Sequence, residues 1–374
     1  MRGLRGLPGL VACAAFSLAL VPLGDAVACG AFFAGRASNP NATANVPFLS
    51  HERVLVVWDE TTKMEHFVRE VRFDGADQSF GFVVPVPSRP KVDKVASSPF
   101  DALARDLPAE TKPPEVGLRP GSKGGPPGGG APPPAVIVLE TRKVGRFTAF
   151  VLQANDTAGF QQWLEKHGFT STPESRAWLD EYVKRKFHYV AFRVDPPAKD
   201  EANKLVSETI RISFPTPAPY YPYREPEHST EQGARALEVW FVSQKAHIPI
   251  ATVPNVMVAK NEDGSPGAME ARRPWAPGIR YDVGLVTGLA GIGGVGQRRQ
   301  SVDRSVLVKA LGPSASLLPR GDLVVQTFRD FKKARHGYGD VLLVPEDRND
   351  GAFWKEARPA LYGILDPMFV GGAP

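Results

Sequence analysis

The chain has 374 residues, 43% of them hydrophobic and 23% charged, so it can build a sizeable core and is not intrinsically disordered as a whole. Its net charge of +5 is mild, and no lysine–arginine cluster with interleaved aromatic residues occurs, which argues against a nucleic-acid partner. No stretch beyond residue 28 reaches 18 consecutive apolar residues, so we expect no transmembrane helix.

The first 28 residues have the pattern of a secretory signal peptide. Arg2 and Arg5 give it a positive start, residues 10–23 form an apolar core, and residues 26–28 (AVA) are a small-x-small cleavage site. We therefore predict an exported protein, located in the periplasm, at the outer membrane or outside the cell. Its mature part is predicted to begin at Cys29.

Cys29 is the only cysteine of the predicted mature chain, because Cys13 lies in the leader, so no intrachain disulfide can form. Three roles stay open for it. It is a structural or inert thiol, or an N-terminal nucleophile whose free α-amine acts as the base. Alternatively it carries a lipid anchor, since residues 26–29 (AVAC) approximate a lipobox, although an aliphatic residue is preferred where Ala26 stands. Ala28 and Cys29 are thus the predicted processing site and the candidate lipidation site.

Residues 64–90 have the alternation of a β-hairpin at the edge of a sheet. Apolar residues recur with a period of two on both sides of residues 74–77 (DGAD), which have turn chemistry. Pro85, Pro87 and Pro90 cannot donate a backbone hydrogen bond. This end of the second strand is therefore predicted to lie at a sheet edge or to leave the sheet.

Two runs of this part of the chain resemble a known family. Residues 28–33 (ACGAFF) and 80–87 (FGFVVPVP) resemble the DUF2330 family of exported bacterial proteins, which has a Cys-Gly-Gly-Phe-Phe-Cys-like run and a Phe-x-Trp-Val-x-Pro-Val-Pro-like strand. Ala34 stands where the family often has a second cysteine, and Phe82 stands where tryptophan is common. The resemblance extends over most of residues 29–250. It implies a fold and an exported location, and it implies no mechanism.

Residues 112–134 hold eight prolines and seven glycines among 23 residues. Such a segment buries too little apolar surface to offset the entropy of ordering it, so we predict a disordered loop. A second hairpin is expected at residues 135–152. Two short amphipathic helices follow at about residues 157–186, with apolar residues three and four positions apart. The fold class predicted is β-rich α+β, with antiparallel hairpins covered by this helix pair.

Tyr220, Tyr221 and Tyr223 lie in a proline-rich loop. Proline fixes the backbone and tyrosine offers large contact area at low entropic cost, so these residues are a candidate recognition loop. The alternative is that they cap a sheet edge and pack on it.

The segment 251–374 is predicted to be β-rich and to pack on the same body as residues 29–250. Candidate strands lie at residues 282–287, 302–310, 322–328 and 341–345, and a terminal helix at residues 359–365.

No residues form a convincing catalytic, cofactor or metal site. Residues 291–296 (GIGGVG) match a dinucleotide-binding pattern, but the segment after them predicts a turn entering a strand where that fold needs a helix. The seven histidines do not have the spacing of metal ligands. We therefore expect no cofactor and a non-enzymatic module that binds or scaffolds an unknown envelope protein or surface ligand. The alternative is an N-terminal-nucleophile or thiol-dependent enzyme that uses Cys29.

Overall fold

The computed structural model describes residues 31–35, 48–74, 79–108, 136–195, 205–226, 236–252, 298–330 and 340–345. The strands within these ranges are, in chain order, β1 (Ala31–Gly35), β2 (Phe48–Asp59), β3 (Met64–Asp74), β4 (Phe80–Val86), β5 (Lys91–Lys94), β6 (Val136–Val144), β7 (Phe147–Ala154), β8 (Phe169–Thr170), β9 (His188–Val194), β10 (Leu205–Val206), β11 (Ile210–Pro215), β12 (Tyr220–Tyr221), β13 (Ala236–Ser243), β14 (His247–Thr252), β15 (Arg298–Ser301), β16 (Val324–Asp330) and β17 (Asp340–Pro345). The helices are α1 (Phe100–Asp106), α2 (Thr157–Lys166), α3 (Pro173–Lys184) and α4 (Arg304–Leu311), and a 3-10 helix (Gly312–Leu317) follows α4.

These strands form three sheets. Sheet 1 has the order β6-β7-β9-β4-β1-β8, sheet 2 the order β15-β16-β13-β2-β3-β11-β5 with β10 beside β3, and sheet 3 the order β12-β17-β14. Neighbouring strands are antiparallel, except that β13 and β2 are parallel. The β-rich α+β class expected from the sequence is confirmed.

Sheets 1 and 2 pack face to face and enclose the main core. The ring of Phe73 on β3 lies 5.5 Å from that of Phe32 on β1 and 4.7 Å from that of Phe80 on β4, measured between centroids. Because side chains alternate along a strand, the intervening residues of sheet 2 face the other way. They form a second core with α1 and α4, in which Trp240 lies 5.9 Å from Phe100.

The predicted helix pair covers the outer face of sheet 1, as expected. Phe160 and Trp163 of α2 contact Tyr189 and Phe150 of the sheet, at 4.6 and 5.2 Å between ring centroids. Local sequence sets the helix starts: Asp156 accepts the amide of Gly159 at 2.7 Å to cap α2, and a capping box opens α3. The layers therefore run helix, sheet, sheet, helix.

The hairpin predicted for residues 64–90 is wrong. β3 belongs to sheet 2, while β4 lies inside sheet 1 between β9 and β1, so the chain crosses from one sheet to the other. A period of two identifies strands but not their partners, which explains the error. The structure agrees better with the prediction that the proline-containing end of this strand lies at a sheet edge, because the pairing of β4 with β1 ends at Val83, before Pro85.

The strand predicted at residues 302–310 is also wrong, because this segment contains helix α4. Its valines favour a strand, but Leu307, Ala310 and Leu311 are buried at helical spacing, and Asp303 accepts the amide of Ser305 at 2.7 Å. Three other predictions, the loop at 112–134, the strand at 282–287 and the helix at 359–365, lie outside the described residues.

The division at residue 250 stays a prediction. Strands from the two sides of it hydrogen-bond to each other: β16 pairs with β13 from Leu237 to Ser243, and β17 pairs with β12 and with β14, which itself spans residue 250. Within the described residues, no helix is both long and apolar enough to cross a membrane.

Candidate functional site: a buried tyrosine–aspartate cluster

The carboxylate of Asp340, the first residue of β17, accepts three hydrogen bonds from two other parts of the chain, α3 and residues 220–224. The hydroxyl of Tyr220 on β12 donates at 2.8 Å and that of Tyr182 on α3 at 3.2 Å. The backbone amide of Arg224 donates at 3.1 Å. We call Asp340, Tyr182 and Tyr220 the tyrosine–aspartate cluster. It ties a helix and two strands of sheet 3 together in the protein interior.

Neighbouring side chains hold the donors in place. Tyr182 lies on the buried face of α3, one turn after Trp178, whose indole Nε1 donates to the carbonyl of Arg224 at 3.1 Å. The guanidinium of Arg224 forms an ion pair with both carboxylate oxygens of Glu181. The backbone of Arg224 is therefore fixed both by the indole and by its own side chain. Its amide is aimed at Asp340 as a result.

Burial dominates the electrostatics of the cluster. Burial raises the pKa of Asp340, although Arg185, the Arg224 amide and the Tyr220 hydroxyl act in the opposite direction. Burial together with the charge of Asp340 raises the pKa of Tyr182 and of Tyr220 well above the usual range. Both tyrosines are therefore neutral hydrogen-bond donors at physiological pH.

A second carboxyl group lies beside the cluster. Glu65 of β3 is fully buried and accepts the backbone amide of Tyr220 at 2.7 Å through Oε2. Its Oε1 has no hydrogen-bond partner in the described structure. Burial raises the pKa of Glu65 well above its ordinary value, because only one donor stabilises the charged form.

A buried ion pair lies further along the same strand. Arg69 faces the core between sheets 1 and 2, with its Nε 2.7 Å from Oε1 of Glu52 on β2. Its guanidinium also lies over the ring of Phe82, 5.1 Å from the centroid. Neither Nη atom has a hydrogen-bond partner in the described part of the chain. A buried ion pair of this kind adds little net stability, because the loss of hydration of both charges offsets their attraction.

The tyrosine–aspartate cluster contains groups used in acid–base catalysis, but it is closed. Tyr220, Tyr182 and Asp340 are 0%, 1% and 1% exposed. A general acid or base must lie within about 2.6–3.2 Å of the proton that it moves. The arrangement therefore acts as an internal tie between elements.

The structure places the candidate recognition loop inside the protein. Tyr220, Tyr221 and Tyr223 are at most 1% exposed, and the ring of Tyr221 packs 5.8 Å from that of Phe67. Tyr220 and Tyr221 form short β12 at the edge of sheet 3, and Tyr223 follows two residues later, so this burial favours the alternative in which the three tyrosines pack at a sheet edge. Ala28 and Cys29 lie outside the described residues.

Sequence reasoning missed Asp340, Tyr182 as a donor, and Glu65. One signal was available for Glu65, because it shares the inward-facing alternation of Phe67, Val71 and Phe73 and a charged residue there must be buried. No signal linked it to Asp340, which is 275 positions away. Among the described residues, no group of three or more His, Cys, Asp and Glu side chains is arranged to hold a metal ion.

Comparison with known proteins gives one match. A family model described as an uncharacterized protein conserved in bacteria, DUF2330, matches residues 24–245. No curated protein and no solved structure matches the chain. The match ends before β17, so Asp340 lies outside it while Tyr182 and Tyr220 lie within it.

Proposed function

Because this family model covers more than half of the chain, the protein belongs to the DUF2330 family of bacterial proteins, and we propose that it is an exported cell-envelope protein with a non-enzymatic binding or scaffolding role. Two parts of this proposal, the export and the absence of catalysis, have separate support and separate tests.

The closed tyrosine–aspartate cluster supports a non-enzymatic role. It is the described group that most resembles catalytic machinery, and its acceptor already receives three donors from within the protein. Catalysis needs groups that are pre-organised but still open to a substrate. A role through the outer surface of the protein therefore fits the geometry better than a reaction inside it.

The position of β1 supports export with processing near Cys29. β1 begins at Ala31, two residues after Cys29, and lies between β4 and β8 in sheet 1. Phe32 of β1 is 3% exposed and stacks on Phe82 at 5.6 Å between ring centroids. The chain thus becomes core structure directly after the predicted leader. A lipid on Cys29 would hold the body within a few ångströms of the membrane, since each extended residue spans at most about 3.6 Å.

The export part is tested by producing the full chain in a bacterial host, separating cytoplasm from envelope, and mapping the first residue by mass spectrometry. We expect the mature protein in the envelope or medium, beginning at Cys29. A mature chain that begins inside β1, after Ala31, would contradict the proposal, because it would remove a strand from the interior of sheet 1. A Cys29→Ala variant that moves from the membrane to the soluble fraction would identify a lipid anchor.

The non-enzymatic part is tested with purified mature protein in a screen for substrate turnover, run beside Cys29→Ser. We expect no turnover by either. Turnover by the wild type that is lost in Cys29→Ser would support the alternative, an enzyme that uses the Cys29 thiol. Stable recovery of one envelope component in stoichiometric amount, under crosslinking in native envelopes, would support the binding role.

A further inference from the structure

Three cations surround one carboxylate where the edges of sheets 1 and 2 meet. Nη1 of Arg142, on β6 of sheet 1, donates to Oδ1 of Asp93 on β5 at 2.7 Å and to the carbonyl of Val92 at 2.7 Å. Nη2 of Arg211, on β11, donates to Oδ2 of Asp93 at 2.7 Å, and Nζ of Lys91 lies 3.7 Å from the same oxygen. We call Lys91, Arg142 and Arg211, with Asp93 at their centre, the β5 basic patch. Three positive charges and one negative charge leave it a net charge of +2.

A neighbouring histidine, His66, adds no charge to the patch. His66 of β3 lies opposite Ser213 of β11, with its Nδ1 2.8 Å from the Ser213 hydroxyl. Burial and then the charge of Arg211 lower the pKa of His66 to about 4, and the opposing effect of Asp59 is smaller. The imidazole is therefore neutral at physiological pH and adds no charge to the patch.

Asp93 is the negative charge at the centre of the patch. Burial acts to raise its pKa, but the hydrogen bond and the charge of Arg211, with the charges of Lys91 and Arg142, lower it. Asp93 is therefore ionised, and it neutralises one of the three cations. An external anion would have to compete with it for the other charges.

The cations of the patch remain accessible to an outside anion. The side chains of Lys91, Arg142 and Arg211 are 69%, 43% and 26% exposed, whereas that of Asp93 is 13% exposed. Each guanidinium has five N–H donors in a planar fork, whereas the bonds to Asp93 and Val92 engage Nη1 of Arg142 and Nη2 of Arg211. The patch therefore presents unused donors and net positive charge together.

We propose that the β5 basic patch binds the phosphate headgroups of an anionic phospholipid surface. The cations lie at the surface where the edges of sheets 1 and 2 meet, so each single contact with an anion is weakened by water and salt. A free phosphate ion contacts the patch once, whereas a lipid surface presents many phosphates at the same time. The binding free energies of the separate contacts then add. This inference rests on the proposed export, which brings the protein to the envelope.

Binding is measured by flotation of the purified mature protein with vesicles of phosphatidylcholine alone or mixed with phosphatidylglycerol. We expect binding to the mixed vesicles that weakens as salt is raised. The variant Lys91→Gln/Arg142→Gln/Arg211→Gln should bind on the order of 100-fold more weakly, about fivefold for each cation removed. The matched control Lys166→Gln/Lys184→Gln/Lys309→Gln removes the same charge from three exposed helical positions and should lose much less.

A gain of binding gives the sharper test. Asp93→Asn removes the only carboxylate of the patch and raises its net charge from +2 to +3. It should bind mixed vesicles about fivefold more tightly than the wild type. Lys91→Gln replaces the most exposed cation of the patch, so its effect on vesicle binding can be measured with little risk to folding. Thermal melting shows whether each variant is folded.

Three outcomes would overturn the proposal: no binding to mixed vesicles, an equal loss in the control variant, or no gain in folded Asp93→Asn. Binding of inorganic phosphate without vesicle binding would overturn the assignment to lipid. The proposed export fails separately, if the chain stays in the cytoplasm with its leader uncleaved, because the vesicle assay does not depend on where the cell places the protein.

Discussion

Two buried carboxyl groups, Glu65 and Asp340, share Tyr220 but have very different surroundings. The amide of Tyr220 donates to Glu65, and its hydroxyl donates to Asp340. Asp340 receives two further donors and lies within the influence of Arg185 and Arg224. Glu65 receives the amide alone, and burial raises its pKa well above the usual range.

The difference shows that burial alone does not determine how a carboxyl group behaves. Both groups lose their hydration, but donors and cations stabilise the charged form of Asp340 and compensate in part for that loss. Glu65 lacks this compensation, so its neutral form is favoured. Burial raises the pKa of both carboxyl groups, but the donors and cations around Asp340 oppose the rise, whereas at Glu65 only the Tyr220 amide does.

Removal of Asp340 should have the largest effect. Asp340→Ala leaves the hydroxyls of Tyr182 and Tyr220 and the amide of Arg224 without their acceptor. At about 1–3 kcal/mol for each buried unsatisfied group, we expect a loss of roughly 4–6 kcal/mol, measured by denaturant unfolding. Asp340→Asn keeps one acceptor oxygen and should lose clearly less. Equal stability of wild type and Asp340→Ala would show that the tie is not needed.

The ion pair between Glu52 and Arg69 extends the comparison to a charge that is paired with a cation. Glu52→Leu leaves the buried guanidinium of Arg69 without its carboxylate and should destabilise the protein by about 3–5 kcal/mol. The double variant Glu52→Leu/Arg69→Met removes both charges and should recover most of that loss. A double-mutant cycle measures the coupling, and additive effects would show that the pair is not coupled.

The sequence predicted local structure well and long-range partners poorly. The helix pair and its buried aromatic face follow from spacing, because α2 and α3 are amphipathic over consecutive residues. The crossing from β3 to β4, by contrast, could not be predicted, since the same alternation occurs in a hairpin and in a strand that joins another sheet. The tyrosine–aspartate cluster could not be predicted from the sequence for the same reason. Asp340 meets Tyr182 only because sheet 3 brings β17 beside β12, and no local pattern encodes that pairing.

Replacement of Glu65 by glutamine should change the pH dependence of stability more than the stability itself. Since folding raises its pKa above the ordinary 4.5, the unfolded chain ionises first as pH rises, and stability falls from about pH 4.5 towards the raised value. One such group contributes a slope of at most about 1.4 kcal/mol per pH unit. Glu65→Gln cannot ionise and should lose this slope, as measured by urea unfolding between pH 5 and 9. The proposal fails if wild type and variant have parallel pH profiles.

His66, the next residue on β3, should show the smallest effect and the opposite sign. It lies on the other face of the strand, where burial and then the charge of Arg211 lower its pKa from 6.5 to about 4. Below pH 6.5 the unfolded chain binds a proton that the folded protein resists, so stability is lost as pH falls from 6.5 towards 4. His66 is only partly buried and solvent screens it, so the slope should be a fraction of the maximum for one group. His66→Gln should remove this loss between pH 6.5 and 4 and leave in place the decline of opposite sign that Glu65 causes as pH rises. A variant that instead abolished the Glu65 decline would mean that the two neighbours do not titrate independently.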